Sequence, residues 1–176
     1  MLRAAAARLA ALGEVAARSS IYATAPVGGP AGQADYLNAV LALDLPGAEA
    51  PSLLRSLLAI ESVLGRVRRE RWGPRLIDLD LLALGAVVFD GPASATADGP
   101  GRDDTLVLPH PRLAERAFVL VPLCEIGRTR NEKGSAWVHP VTGHGACAML
   151  AALATGGAGS RQSAHDLGVH RTDLRW

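Results

Sequence analysis

Two cysteines, two tyrosines, two phenylalanines and a single lysine, Lys133, are what this 176-residue sequence has least of. Cys124 and Cys147 stand in separate apolar stretches without C-x-x-C spacing, which predicts buried reduced thiols rather than a disulfide or a metal site, and a cytoplasmic setting. With aromatics at 4%, there is little to build the exposed stacking surface by which a sheet-based module binds nucleic acid. A net charge of +1 gives no long-range field toward nucleic acid or membrane. No apolar run reaches the ~20 residues of a membrane span, and Arg3 and Arg8 interrupt the Ala-rich opening, unlike the core of a signal peptide. The scarcity of lysine is ascribed to coding composition and carries no functional reading. There is no internal repeat. The 49% of hydrophobic residues excludes a largely disordered chain, and the length suits one α/β domain.

What is present centres on residues 70–82, ERWGPRLIDLDLL. In a strand-like run, successive side chains point to opposite faces, so Asp78 and Asp80 share one face while Ile77, Leu79 and Leu81 share the other. Two carboxylates at adjacent same-face positions repel unless a cation or a basic partner lies between them. Arg71 and Arg75, just upstream, can grip phosphate bidentately. Carboxylates for a divalent metal beside such guanidinium groups suit phosphoryl transfer. Taken alone, the pair is equally compatible with a half-exposed strand whose aspartates are solvated.

The wider run Arg66-Val67-Arg68-Arg69-Glu70-Arg71-Trp72-Gly73-Pro74-Arg75, followed by Asp78-Leu79-Asp80, closely resembles the signature of the 6-hydroxymethyl-7,8-dihydropterin pyrophosphokinase family of the folate pathway. Two further blocks resemble the same family in the expected order. Upstream are Tyr22-Ala23-Thr24-Ala25-Pro26 and Asp35-Tyr36-Leu37-Asn38-Ala39-Val40; downstream are Leu108-Pro109-His110-Pro111 and Arg116-Ala117-Phe118-Val119-Leu120. The resemblance covers about residues 2–154.

Read in order, the pattern predicts a helix over residues 2–12 stopped by Gly13, then a strand over 15–24. A Gly/Pro loop over 24–30 and a β-type run over 36–43 follow, with Tyr36, Asn38 and Val40 on one face. A helix over 51–64 buries Leu53, Leu54, Leu57, Leu58 and Leu64 and ends at Gly65. Glu61 near its end is opposed by the helix macrodipole, so it either has a compensating partner or points to water. Residues 85–104 lack a hydrophobic period and read as an extended loop. A short β-like run over 106–108 precedes a helix over 112–126 broken near Pro122, and the last helix covers 146–153. His139 and His144 flank a turn without metal-ligand spacing and read as structural. The domain is expected over residues 1–154, with 155–176 a disordered tail.

The element order suggests an α+β protein with helices on one face of a mainly antiparallel sheet. The resemblance implies a ferredoxin-like α/β sandwich. In that family a strand and a Gly-Ser-Asn-type loop precede the first helix, whereas Met1 here sits at that helix. The first strand is therefore expected to be missing and the chain poorly active, through a start codon set too far downstream or a degenerate copy. The retained motif positions favour the start codon.

The resemblance further implies transfer of diphosphate from ATP to 6-hydroxymethyl-7,8-dihydropterin, with AMP as coproduct and two Mg²⁺ ions held by Asp78 and Asp80. Arg66 and Arg75 would close over the phosphates. Glu61, Arg68, Arg71, Trp72, His110 and Arg116 would serve the nucleotide. Tyr36 and Phe118 would stack on the pterin, with Asn38, Thr24, Pro26 and Val27 on its edge. A core role for Phe118 beside Val119 and Leu120 is the alternative. A monomer acting on small molecules is expected. The competing readings are a nucleic-acid-binding module and a metal-dependent phosphohydrolase; the latter needs a water-activating group that no spacing marks near Asp78.

Overall fold

The computed structural model describes residues 1–25, 33–65, 76–92, 105–131, 137–156 and 167–176. The chain divides into two compact units, one formed by Met1–Glu14 and Leu43–Pro111, the other by Val15–Ala42 and Arg112–Trp176. The architecture is α+β, with antiparallel ladders and helices packed on them, as the ferredoxin-like class requires.

In the first unit, helix α1 (Leu2–Leu9) buries Ala5, Ala6 and Leu9 and packs on α2 (Ala50–Val63). Pro51 opens α2, where a missing N–H costs nothing, and Gly65 follows its end at φ +88°, a conformation that L side chains rarely adopt. Strands β5 (Phe89–Pro92) and β6 (Thr105–Leu108) pair antiparallel, from Phe89 opposite Leu108 to Pro92 opposite Thr105. Ala50, Leu106 and Leu108 form the buried core here, with Leu54, Leu81, Leu84 and Phe89 packed against it. The loop expected over 85–104 thus holds a strand at its start. Asp, Gly and Pro are poor strand formers, and only pairing with β6 and the burial of Phe89 make this segment extended.

The second unit is built on β2 (Tyr22–Thr24), flanked by β3 (Tyr36–Asn38) on one edge and β7 (Val169–Arg171) on the other. A separate two-stranded ladder joins β1 (Glu14–Arg18) and β4 (Leu41–Asp44), the strands within which the chain passes between the units. The single strand expected over 15–24 is therefore two. It divides at Ser20, whose N–H and hydroxyl both turn to the Glu125 carboxylate at 2.7 Å.

After a 3-10 turn at Leu113–Glu115, α3 (Ala117–Asn131) packs on α4 (Ala146–Thr155) and on the three-stranded sheet. The break expected near Pro122 does not occur. Proline forfeits one helical hydrogen bond, but Pro122 is fully buried and its neighbours Leu120, Val121 and Cys124 anchor the helix on both sides.

Two further expectations are corrected. Cys124 and Cys147 are joined in a disulfide, their Cα atoms 4.7 Å apart, so they are not free thiols and lend no support to a cytoplasmic setting. Helix packing of α3 on α4 unites them across 23 residues, which local spacing does not reveal. The segment after residue 155 is not wholly a disordered tail: Val169, only 3% exposed, sits opposite Thr24, and Thr172 N–H donates to Ile21 O at 2.9 Å. A three-residue strand carries no period of its own, and its order comes from the distant strand it pairs with.

Candidate functional site

The acidic segment lies in the first unit. Exposure alternates along it as a strand would require: Leu76, Asp78 and Asp80 are exposed, whereas Ile77 is buried and Leu79 and Leu81 are half-buried. Yet among the described residues the segment belongs to no ladder, contrary to the strand expected there. Two of its backbone groups bond elsewhere. Leu79 N–H donates to Glu61 Oε1 at 2.6 Å, and Leu82 O accepts from His110 N–H at 2.8 Å. Glu61 itself is 1% exposed. Of the two expectations for Glu61, the pointing to water is therefore excluded, and the amide of Leu79 is a compensating partner.

Asp78 and Asp80 border a cavity of about 340 Å³ together with His110, the β6 residues Thr105, Leu106 and Val107, and Leu54 and Leu58 of α2. The cavity has a carboxylate and imidazole rim over apolar walls. Leu54 and Leu58 read from the sequence as core stripe; Leu54 does pack against the core, and both, half-buried, also line this cavity. The β-like run expected over 106–108 includes Val107, but no local signal marks it or Thr105 as lining a cavity.

The second group lies in the other unit. Tyr22 pairs with Asn38 and Thr24 with Tyr36, so these four side chains share one face of the sheet. Asn38 Nδ2 donates to Thr24 Oγ1 at 2.8 Å. The Tyr36 ring is 45% exposed, and its hydroxyl donates to Gln33 Oε1 at 3.3 Å. The same sheet face meets α3 through the buried cluster of Tyr22, Val121 and Val169, against which Phe118 packs half-buried. The Arg116 guanidinium lies 5.7 Å from the Phe118 ring centroid, within cation–π range. Phe118 is thus both a packing residue and an aromatic surface still partly open.

Glu125 of α3, which the sequence did not mark, lies against this same face. Its carboxylate accepts from Ser20 and, at 3.1 Å, from the Tyr22 hydroxyl, with Arg171 Nη2 at 3.9 Å. Burial, and then the Glu125 charge, hold the Tyr22 hydroxyl above its ordinary pKa.

Asp78, Asp80, Glu61 and His110 are thus gathered in one unit, and Thr24, Tyr36, Asn38, Arg116 and Phe118 in the other. Arg66, Arg68, Arg71, Trp72 and Arg75, with Pro26 and Val27, lie outside the described residues. His139 Nδ1 accepts from the amides of Val141 and Thr142, and among the described residues no three His, Cys, Asp or Glu side chains form a metal-binding group. No described helix is long and apolar enough to cross a membrane.

Comparison with known proteins gives a consistent result. Residues 1–128 match the model of the 7,8-dihydro-6-hydroxymethylpterin-pyrophosphokinase (HPPK) family. Three similar relatives are each named 2-amino-4-hydroxy-6-hydroxymethyldihydropteridine pyrophosphokinase. The one from Methylorubrum extorquens is 46% identical over 112 residues, 64% of this chain and 62% of the relative. That from Synechocystis is 39% identical over 130 residues, 74% and 55% of the two chains. That from Mycobacterium bovis is 39% identical over 126 residues, 72% and 65%. The chain spans less than two thirds of the length of each.

Proposed function

Because this chain belongs to the 7,8-dihydro-6-hydroxymethylpterin-pyrophosphokinase family, we propose that it transfers the β,γ-diphosphate of ATP to 6-hydroxymethyl-7,8-dihydropterin, with AMP as the second product. The hydroxymethyl oxygen forms a bond to the β-phosphorus, the bond from that phosphorus to the α,β-bridging oxygen breaks, and the hydroxyl proton is released. The observation that carries the reading is the presentation of Asp78 and Asp80, side by side with His110, at one cavity of about 340 Å³.

The donor set suits magnesium. Two carboxylates are hard oxygen ligands, and phosphate oxygens and water would complete the shell Mg²⁺ prefers. Asp78 and Asp80 would hold two such ions. When bound, they would neutralise charge on the triphosphate and polarise its oxygens. His110 would donate to a phosphate or ribose oxygen at the same rim, and the apolar walls from Leu54, Leu58 and Leu106 would exclude water from one side of the nucleotide. Arg66 and Arg75 would close over the phosphates with help from Arg68, Arg71 and Trp72, by the family resemblance. In the other unit, Tyr36 and Phe118 would offer aromatic faces to the flat pterin. The Asn38 amide, oriented by Thr24, would read the pterin edge as donor and acceptor, with Pro26 and Val27 beside it by resemblance. Positioning and charge do most of the work in such a transfer. The reading extends to a pyrophosphokinase region over residues 1–154, a cytoplasmic setting and a monomer.

The deciding experiment measures AMP release from Mg²⁺ and ATP with and without 6-hydroxymethyl-7,8-dihydropterin. AMP appears only when both substrates are present. Nucleotide consumption without pterin, or none in its presence, overturns the proposal.

A further inference from the structure

The peptide N–H between Asp78 and Asp80 is held from behind: Leu79 N–H donates to a Glu61 carboxylate that is 1% exposed. We infer that Glu61 is a positioning residue, one that aims the two aspartates through the backbone of Leu79 and does not itself touch the nucleotide. This inference rests on the phosphoryl-transfer reading of Asp78 and Asp80.

Three observations lead to it. A carboxylate in the last turn of a helix is opposed by the macrodipole, and burying it adds a desolvation cost, so its place requires a compensating bond. The Leu79 N–H, 2.6 Å from Glu61 Oε1, supplies such a bond. Second, among the described residues the acidic segment pairs with no strand, and the Glu61 bond is a hold on its peptide planes that those residues do show. The Glu61 bond grips the plane that links Asp78 to Leu79. Holding that plane fixes the directions in which the side chains on either side of it alternate, and the flanking carboxylates stand exposed. Third, Leu79, Asp78 and Asp80 all line the cavity, whereas Glu61 is not among its lining residues. Glu61 therefore stands one layer behind the chemistry.

The test uses the full chain with Glu61→Gln, which keeps the acceptor oxygen, and Glu61→Ala, which removes it. Calorimetry with the magnesium complex of a non-hydrolysable ATP analogue and, separately, with 6-hydroxymethylpterin reads binding. Amide hydrogen exchange of Leu79 reads the contact without any ligand. Glu61→Ala is expected to weaken metal–nucleotide binding about tenfold, a change of about 1.4 kcal/mol, leave pterin binding unchanged and expose the Leu79 amide to exchange. Glu61→Gln should restore most of both. Unchanged nucleotide affinity in Glu61→Ala overturns the inference. So does a Glu61→Gln chain as impaired as Glu61→Ala with its Leu79 amide still protected, since the charge would then act on the nucleotide directly. If Glu61→Ala does not fold, Glu61→Gln and wild type still decide: a Leu79 amide that exchanges in wild type like an exposed one overturns the inference. A wild-type chain that binds no magnesium nucleotide sinks the reading of Asp78 and Asp80 instead, and Leu79 protection still reports on the contact.

Discussion

Asn38 Nδ2 donates to Thr24 Oγ1 at 2.8 Å across the β2–β3 ladder, which fixes the orientation of the Asn38 amide. Thr24 is 8% exposed, so its hydroxyl has little water to turn to and the bond is its main outlet. Thr24→Val keeps the shape and removes the acceptor. We expect a loss of about 1 kcal/mol in stability and pterin binding weakened about fivefold, with the magnesium nucleotide unaffected. Calorimetry on the two ligands checks this, and pterin affinity within twofold of wild type would show that the amide needs no such support.

Asp78→Asn and Asp80→Asn should each abolish diphosphoryl transfer. Both side chains are exposed, so unfolding free energy should stay within about 0.5 kcal/mol of wild type. Activity and urea unfolding are the paired measurements. Wild-type turnover in either variant would remove the metal assignment.

Phe118→Leu separates the two roles of that ring. Leucine preserves much of the packing against Tyr22, Val121 and Val169, at a cost of about 1.5 kcal/mol or less, but it has no aromatic face. Pterin binding should weaken by about 1 to 3 kcal/mol, as when stacking on an aromatic is lost, with nucleotide binding kept. Equal weakening of both ligands would make Phe118 a packing residue only.

Alkaline stability depends on Tyr22. Its folded-state pKa is raised above the ordinary value of 10.0 by burial and by Glu125. The folded state therefore holds the proton more tightly than the unfolded chain does. The associated stability is fully present below about pH 10 and falls as pH rises through the folded-state pKa. Tyr22→Phe should flatten this decline while costing stability at neutral pH through the lost bond to Glu125. Urea midpoints between pH 8 and about 11 check it; parallel declines in both chains would assign the alkaline loss elsewhere.

Much of this was legible along the chain because it is locally encoded. Helix α2 announces itself by its leucine spacing, Pro51 and Gly65. The alternation around Asp78 and Asp80 survives in their exposure although no strand pairs with the segment. The features that escaped depend on partners far off in sequence. Phe89–Pro92 is extended through β6, Val169–Arg171 through β2, and the Cys124–Cys147 bond through helix packing. Glu61 showed its need of a partner by its place in the helix, but nothing in the spacing identified an amide 18 residues away.

The docking of the last strand sets a timetable for synthesis. β2 obtains its second edge from β7, Thr172 bonds Ile21 across 151 residues, and the Trp176 indole N–H donates to Ser19 O. On the ribosome, Tyr22–Thr24 must therefore wait with one edge unpaired until Val169–Arg171 has been translated, and such an edge is open to association with other nascent chains. A ribosome stalled before Val169 is translated should present this sheet in a protease-sensitive state. Pulse proteolysis of stalled intermediates would show protection of Tyr22–Thr24 and Tyr36–Asn38 arriving only after Val169–Arg171 has cleared the exit tunnel, a vulnerability in time that the finished fold conceals.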